Sequence, residues 1–360
     1  MLSELQVENF RSIRNLRLDQ FGQVNILGGR NGSGKSTVLE AVELFLAPEP
    51  LRAAFHNSRR GIDMLPSQNT PQSSGVESPW ESLFCDFVNN EPARFTGIYS
   101  QNQISVTYET NFPIAKTNQA NLLAQNPSYV FSLQQWINEA RLLLISSNRG
   151  AAVHLESLIH PVPDGTWGWT ASLPPISPCA AIWAGDDTGQ VQQKDLADLF
   201  SVAVQERRES FVVEVMREIV PGLNKLVSLS KNKKARLYAD TGRPKLIPVS
   251  LLGDGAVRVL RILLAGLAEE GGVWLVDEIE NGVHYKFLGA LWRGVAEACK
   301  QKNRQLICTT HSREAILSAA EQDIADLRYL RISRKETGHV AIPYSGAELR
   351  DAEDMLVEIR

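Results

Sequence analysis

With 360 residues, 43% of them hydrophobic and 22% charged, the chain can bury the core of one large α/β domain without covalent staples. Its four cysteines, Cys85, Cys179, Cys299 and Cys308, lie far apart with no CxxC pair, which excludes a zinc ribbon or a disulfide framework and fits buried thiols in a reducing, cytoplasmic setting. A net charge of −4 argues against a strongly basic, non-specific DNA binder, and no apolar run approaches the roughly 20 residues of a membrane span, so no membrane partner is expected.

Residues 3–10 alternate apolar and polar as a half-buried strand does, and 13–18 repeat the pattern less strictly. Gln23 to Leu27 is a short apolar strand, and Thr37 to Phe45 has helical apolar spacing. Between them stands Gly29-Arg30-Asn31-Gly32-Ser33-Gly34-Lys35-Ser36, a complete P-loop followed by Thr37. The glycines let backbone N–H groups turn inward around phosphates, and the helix N-terminus adds partial positive charge. Lys35 is expected at the β- and γ-phosphates and Ser36 on Mg²⁺, which makes ATP and Mg²⁺ the expected ligands.

From Pro48 to Pro79 the composition predicts loop, with one short helix near 51–56. Phe84 to Val88, Arg94 to Tyr99 and Gln103 to Glu109 read as strands, the last two joined by a turn at 100–102. Residues 110–135 read as a polar surface insertion, Arg141 to Ser146 as a buried strand, and Pro161 to Gly189 as an irregular excursion rich in Pro, Gly and Trp. Leu196 to Val220 has the two faces of one long helix, stopped by Pro221-Gly222. The basic run Lys231 to Arg236 is read as a solvated loop rather than a phosphate grip.

Three later stretches complete a site. Ser250 to Gly255 is a glycine loop opening an apolar helix, a weak anion-site signal by itself. Val273-Trp274-Leu275-Val276 is a buried strand ending in Asp277 and Glu278. In an open α/β sheet ligands sit beyond such ends, so Asp277 is expected on Mg²⁺ and Glu278 on the attacking water. Gln305 to Thr309 is another buried strand leading into His311, which is expected near the γ-phosphate and that water.

The order of P-loop, Gly-rich loop opening a helix, strand ending Asp-Glu and strand ending in His resembles the ABC-type ATPases. Asn9-Phe10-Arg11-Ser12-Ile13 and the run Asp277 to His284 resemble the RecF/SMC-related branch and, within it, OLD-family-like ATPases of phage-defence systems. The resemblance implies an ABC-ATPase head: a P-loop α/β core, an N-terminal strand-rich lobe and a helical insertion. It also implies a head-to-tail dimer, with Ser250, Gly253, Asp254 and Gly255 of one copy capping the γ-phosphate held at Lys35 of the other. Arg11 is then expected beside the nucleotide, and Glu280 to His284 between subunits. Two departures stand out: no Ser directly precedes the glycine pair at 253–255, and no Gln can be assigned to a Q-loop.

The expected division of this single ATPase domain is a strand-rich lobe with the P-loop (1–115), an insertion (116–195), a helical part with the acid pair and His311 (196–330), and a C-terminal tail (331–360). No sustained heptads lie between Leu46 and Ser250, against a long coiled-coil arm. The 48 residues after Ser312 are too short for a nuclease domain of the OLD type. The expectation is therefore an ATPase that gates a separate effector, a nuclease or toxin; the alternative is a RecF-like clamp on duplex DNA, which leaves nucleic acid open as a partner.

Overall fold

The computed structural model describes residues 1–49, 80–88, 90–110, 112, 142–149, 154–161, 167–170, 173–183, 196–231, 234–336 and 338–354. The short helix expected at 51–56 and most of the polar insertion expected at 110–135 lie outside these residues.

The chain opens with β1 (Leu2–Phe10), β2 (Ile13–Leu18) and β3 (Val24–Gly28), then helix α1 (Lys35–Leu46). Next come β4 (Ala93–Tyr99), β5 (Asn102–Glu109), β6 (Leu143–Arg149), β7 (His154–Pro161), β8 (Trp167–Trp169) and β9 (Cys179–Ile182). The second half holds α2 (Leu196–Gln205), α3 (Glu209–Ile219), β10 (Lys225–Lys231), β11 (Lys234–Asp240), β12 (Ile247–Pro248) and α4 (Asp254–Leu267). It continues with β13 (Val273–Val276), α5 (Leu288–Gln301), β14 (Gln305–Thr309), α6 (Arg313–Glu321), β15 (Leu327–Lys335), β16 (Gly338–Ser345) and α7 (Gly346–Asp354).

These strands form three sheets. Seven make an antiparallel sheet in the order β2-β1-β4-β5-β6-β7-β8, six make the core sheet in the order β16-β15-β3-β14-β13-β9, and β10-β11-β12 form a small third sheet. In the core sheet β15, β3, β14, β13 and β9 run parallel, and β16 adds an antiparallel edge. Pro343 sits in β16, an edge strand, the place in a sheet where a residue without an N–H is tolerated.

The core strands are apolar on both faces because both faces are covered. On β13, Trp274 and Val276 join the cluster under α2 to α6, while Val273 and Leu275 join the one shared with α1 and the antiparallel sheet. Helix α1 is thereby enclosed between two sheets, and Val38, Leu39, Val42 and Phe45 are fully buried. Each such large side chain contributes about 1.5–3 kcal/mol. The register puts Val276 level with Cys308, and Thr309 level with Leu27. The ends of β3, β14 and β13 therefore reach one edge of the sheet together.

Several local expectations change. Phe84 to Val88 is not a strand but 3₁₀ turns at Glu81–Leu83 and Cys85–Phe87, joined to β1 by a Phe10–Phe84 bridge and a Cys85 N–H bond to Asn9 Oδ1. Asp86 and Phe87 have φ of 54° and 59°, which no strand accommodates. The long helix expected at 196–220 is two, α2 and α3. Arg207 turns left-handed (φ 58°), and the bonds Arg208 N–H to the Ala203 carbonyl and Arg207 N–H to the Val204 carbonyl close a Schellman motif. That cap normally advertises itself with glycine, so the sequence hides it. The stretch 161–189 is not wholly irregular: β8 extends the antiparallel sheet and β9 is the core-sheet neighbour of β13. Within the expected helical insertion the described elements are the strands β6 to β9, and the next described α-helix after α1 is α2 at Leu196. Lys231 and Lys234 pair across the β10–β11 hairpin rather than lying in a free loop. Residues 331–354, expected as a tail, include most of β15, all of β16 and α7.

Candidate nucleotide site

The P-loop leaves β3 at Gly28 and enters α1 at Lys35. Gly29, Gly32 and Gly34 have φ of 138°, 75° and 93°, conformations that favour glycine. Gly34 caps α1 without a side chain, so the first N–H groups of the helix remain available to a ligand. Ser33 and Thr37 are buried within the turn, while Asn31 and Gly32 are exposed at its tip. The Lys35 ammonium is 3% exposed and donates to the carbonyls of Gly29 (2.8 Å) and Arg30 (3.0 Å). Burial pushes its pKa down, opposed by the charges of Asp277, Glu280 and Glu278. The loop carbonyls that now hold this buried cation are partners that phosphate oxygens can replace.

Asp277, 4% exposed, is the centre of the constellation. Its Oδ1 accepts from Ser36 Oγ at 3.0 Å and from Thr309 Oγ1 at 2.7 Å. Thr309 Oγ1 in turn accepts the Glu278 N–H at 2.8 Å. One hydrogen-bond chain thus ties α1, the end of β13 and the end of β14, with Ser36 and Asp277 already 241 residues apart. Glu278 holds a left-handed backbone (φ 47°), unusual for a non-glycine residue, and that turns its carboxylate away from the strand line. His311 Nε2 lies 3.6 Å from Glu278 Oε1, both side chains being about one third exposed (35% and 37%). Glu280 accepts the N–H groups of His311 (2.7 Å) and Ser312 (3.1 Å), fixing the turn into α6.

Helix α4 reaches the same place. Arg258 donates to the carbonyls of Asp277 (2.7 Å) and Glu278 (3.2 Å), and burial lowers its pKa against the pull of Asp277 and Glu278. The glycine loop at the start of α4 is exposed at Ser250, Gly253 and Asp254. It packs on the 280–284 turn: a Cβ on Gly255 would lie 2.3 Å from the Gly282 carbonyl. The loop's exposed neighbours include Leu251 (72% exposed) and, on the adjoining turn, Tyr285 (63%).

Arg11 is neither a surface residue nor free to range. Its side chain is 7% exposed, with Nε 2.8 Å from the wholly buried Glu40 of α1 and Nη1 donating to the Ser82 carbonyl at 3.2 Å. The adjoining Ser12 packs beside the P-loop, its Oγ 3.8 Å from where a Cβ on Gly34 would be.

The structure therefore brings Lys35, Ser36, Asp277, Glu278 and His311 to one sheet edge, with the 250–255 loop packed on the adjoining 280–284 turn. Sequence reading assigned no role to Thr309, Arg258 or His339. Thr309 had a usable signal, a hydroxyl ending a buried apolar strand; so had Arg258, a charge interrupting an apolar helix. The hard oxygen donors Ser36 and Asp277, already in contact, suit Mg²⁺. Among the described residues no group of three or more His, Cys, Asp or Glu side chains is placed to hold a metal by itself. A metal here would complete its shell with phosphate and water, as Mg²⁺ does.

Known proteins share sequence and fold with this chain. Residues 1–146 match the model of an AAA ATPase domain, and residues 190–318 match an AAA domain model that also bears the label AbiEii toxin, Type IV TA system. An ATP/GTP phosphatase of Helicobacter pylori is 23% identical over 342 residues, covering 88% of this chain and 86% of that protein. A Rad50 double-strand break repair ATPase of Methanopyrus kandleri is 39% identical over 61 residues, 17% of this chain and 7% of its own length. A RecF replication and repair protein of Rickettsia massiliae is 45% identical over 53 residues, 15% of each chain. An SMC head bound to the C-terminal winged-helix domain of ScpA superposes with a TM-score of 0.52 at 13% identity, covering 97% of this chain and 99% of that one. Among the described residues no helix is long and apolar enough to cross a membrane. The chain carries ATPase domains of the AAA type, is locally similar to Rad50 and RecF proteins, and has the fold of the SMC head.

Proposed function

We propose that the chain is an ATP-driven switch. ATP with Mg²⁺ sits on the P-loop, two copies close head to tail over it, and closure gates a separate effector protein of nuclease or toxin type. The observation that supports this most is the chain Ser36–Asp277–Thr309–Glu278, in which a metal-type oxygen pair is tied through Thr309 to the backbone of Glu278, the residue read as activating the water. When bound, Mg²⁺ supplies charge neutralisation of the β- and γ-phosphates. Ser36 and Asp277 hold it, and Lys35 leaves its loop carbonyls for phosphate oxygens. Glu278 orients a water and takes its proton as the water oxygen bonds to the γ-phosphorus. The bond from that phosphorus to the bridging oxygen breaks, and ADP leaves with the electron pair. His311, its Nε2 3.6 Å from Glu278 Oε1, flanks that carboxylate on the side of the attacked phosphate.

The exposed 250–255 loop, with Leu251 and Tyr285 around it, is the face offered to the second copy. Its contacts with the γ-phosphate exist only in the ATP state, so hydrolysis releases the dimer. The effector reading draws on the toxin-system label of the model matched at 190–318. The test is sedimentation of Glu278→Gln with ATP and Mg²⁺. A stable dimer that Lys35→Ala does not form supports the switch; a monomer at every ATP concentration refutes it. Capture of that trapped form from the native host then separates the two roles. A stoichiometric nuclease or toxin supports gating. Tight binding of duplex DNA with no protein partner moves the assignment to a RecF-like clamp, in line with the local RecF match.

A further inference from the structure

The β15–β16 hairpin forms one wall of the P-loop. A Cβ on Gly28 would meet the Tyr329 ring at 2.3 Å, and one on Gly29 would meet the Ile332 carbonyl at 2.2 Å. At Gly34, where α1 begins, the nearest side-chain atom is His339 Nε2 of β16, 3.3 Å from the ideal Cβ, with Cδ2 of the same ring at 3.5 Å. His339 is 7% exposed, and its Nε2 is buried without a hydrogen-bond partner in the structure. A buried polar atom left unpaired is rare and calls for a reason. The edge of the ring that carries it faces the helix N-terminus, where unpaired N–H groups and the macrodipole favour an anion. Burial, with Arg334 adding to it, pushes the imidazole pKa down, so the ring is neutral at pH 7 and carries one N–H.

We propose that His339 Nε2–H donates to a phosphate oxygen of the nucleotide bound at the P-loop, so that β16 contributes a ligand-binding residue to the site. This rests on the P-loop holding nucleotide. A neutral donor suits the place, because the bound phosphates supply the partner that the imidazole lacks, with no second cation to be buried beside Lys35. The site is then built from both ends of the chain: the loop from residues 29–37 and its flank from residue 339.

Calorimetric titration of the full chain with ADP, for the wild type, His339→Leu, His339→Gln and Lys35→Ala, tests this. Loss of one hydrogen bond to a charged oxygen predicts about tenfold weaker ADP binding by His339→Leu. His339→Gln, whose amide N–H extends to a similar reach, should stay within about threefold of wild type. In wild-type protein with ¹⁵N-labelled histidine, the His339 Nε2 resonance should move with ADP and with pyrophosphate but not with adenosine. Wild-type affinity in His339→Leu, equal losses in both variants, or a resonance indifferent to pyrophosphate each overturn the proposal. If the wild type binds ADP, Lys35→Ala does not and His339→Leu equals wild type, only the His339 contact falls. If the wild type and Lys35→Ala bind ADP equally poorly, the nucleotide site itself falls.

Discussion

Replacing Thr309 by Val removes one oxygen and keeps the shape of a side chain that is fully buried. That oxygen makes two bonds, donating to Asp277 Oδ1 at 2.7 Å and accepting the Glu278 N–H at 2.8 Å. A hydrogen bond to a charged acceptor is worth about 1.5–3 kcal/mol, and an amide left unpaired costs about 1–3 kcal/mol. Asp277 keeps its bond from Ser36, and the valine methyl recovers some apolar contact, so the net loss should be about 2–4 kcal/mol. Thr309→Ser keeps the oxygen and loses one buried methyl, about 1 kcal/mol. The activity effect is larger than the stability effect. Glu278 is held at φ 47°, a conformation costing about 1–3 kcal/mol that persists only while its surroundings enforce it. Without the Thr309 oxygen the Glu278 backbone relaxes and its carboxylate leaves the water site. Urea unfolding of the nucleotide-free protein and single-turnover ATP hydrolysis measure the two quantities. Thr309→Val should lose at least tenfold in the hydrolytic step while ADP affinity changes little. If Thr309→Val and Thr309→Ser match in both urea midpoint and turnover, the bond chain does not organise the site.

Glu278→Gln should bind ATP normally and hydrolyse it about 10²–10⁴-fold more slowly, as seen by rapid mixing and product quantification; wild-type turnover would reassign the water-activating group. Arg11→Met removes the ion pair to the fully buried Glu40, and should cost about 3–5 kcal/mol in a denaturant titration. A loss of nucleotide affinity without that destabilisation would return Arg11 to the ligand. His339 titrates below its ordinary 6.5, so the unfolded chain binds a proton that the folded chain refuses between that value and the lowered one. Stability therefore falls as pH drops through this window and levels off below it, and His339→Leu should remove that part of the slope in denaturation curves taken from pH 7 to 5.

The strands and loops that make chemistry were legible because their signals are local. A P-loop needs glycines at fixed offsets and a lysine after them, and residues 29–36 supply both. A parallel strand buried on both faces must be an unbroken apolar run, which Val273 to Val276 and Leu306 to Cys308 are. Asp277 follows the first run directly, and His311 stands three residues after the second. What could not be read locally was decided by pairing across the chain. Cys179–Ile182 is a weak strand by composition, and only the ladder with β13 makes it one. The break at Arg207 needed a left-handed turn that the residue type does not announce. Thr309 and Arg258 have meaning only because the sheet register sets Thr309 level with Leu27 and α4 carries Arg258 onto the carbonyls of residues 277 and 278. His339 is the extreme case: nothing near it in sequence suggests a ligand, and its distance from Gly34 exists only because β15 pairs with β3 and carries β16 against the P-loop. Which groups could do the chemistry was written in short stretches of chain, since backbone conformation and charge are local properties. The tertiary structure alone decided which of them meet, since contact between residues hundreds of positions apart depends on sheet order and register.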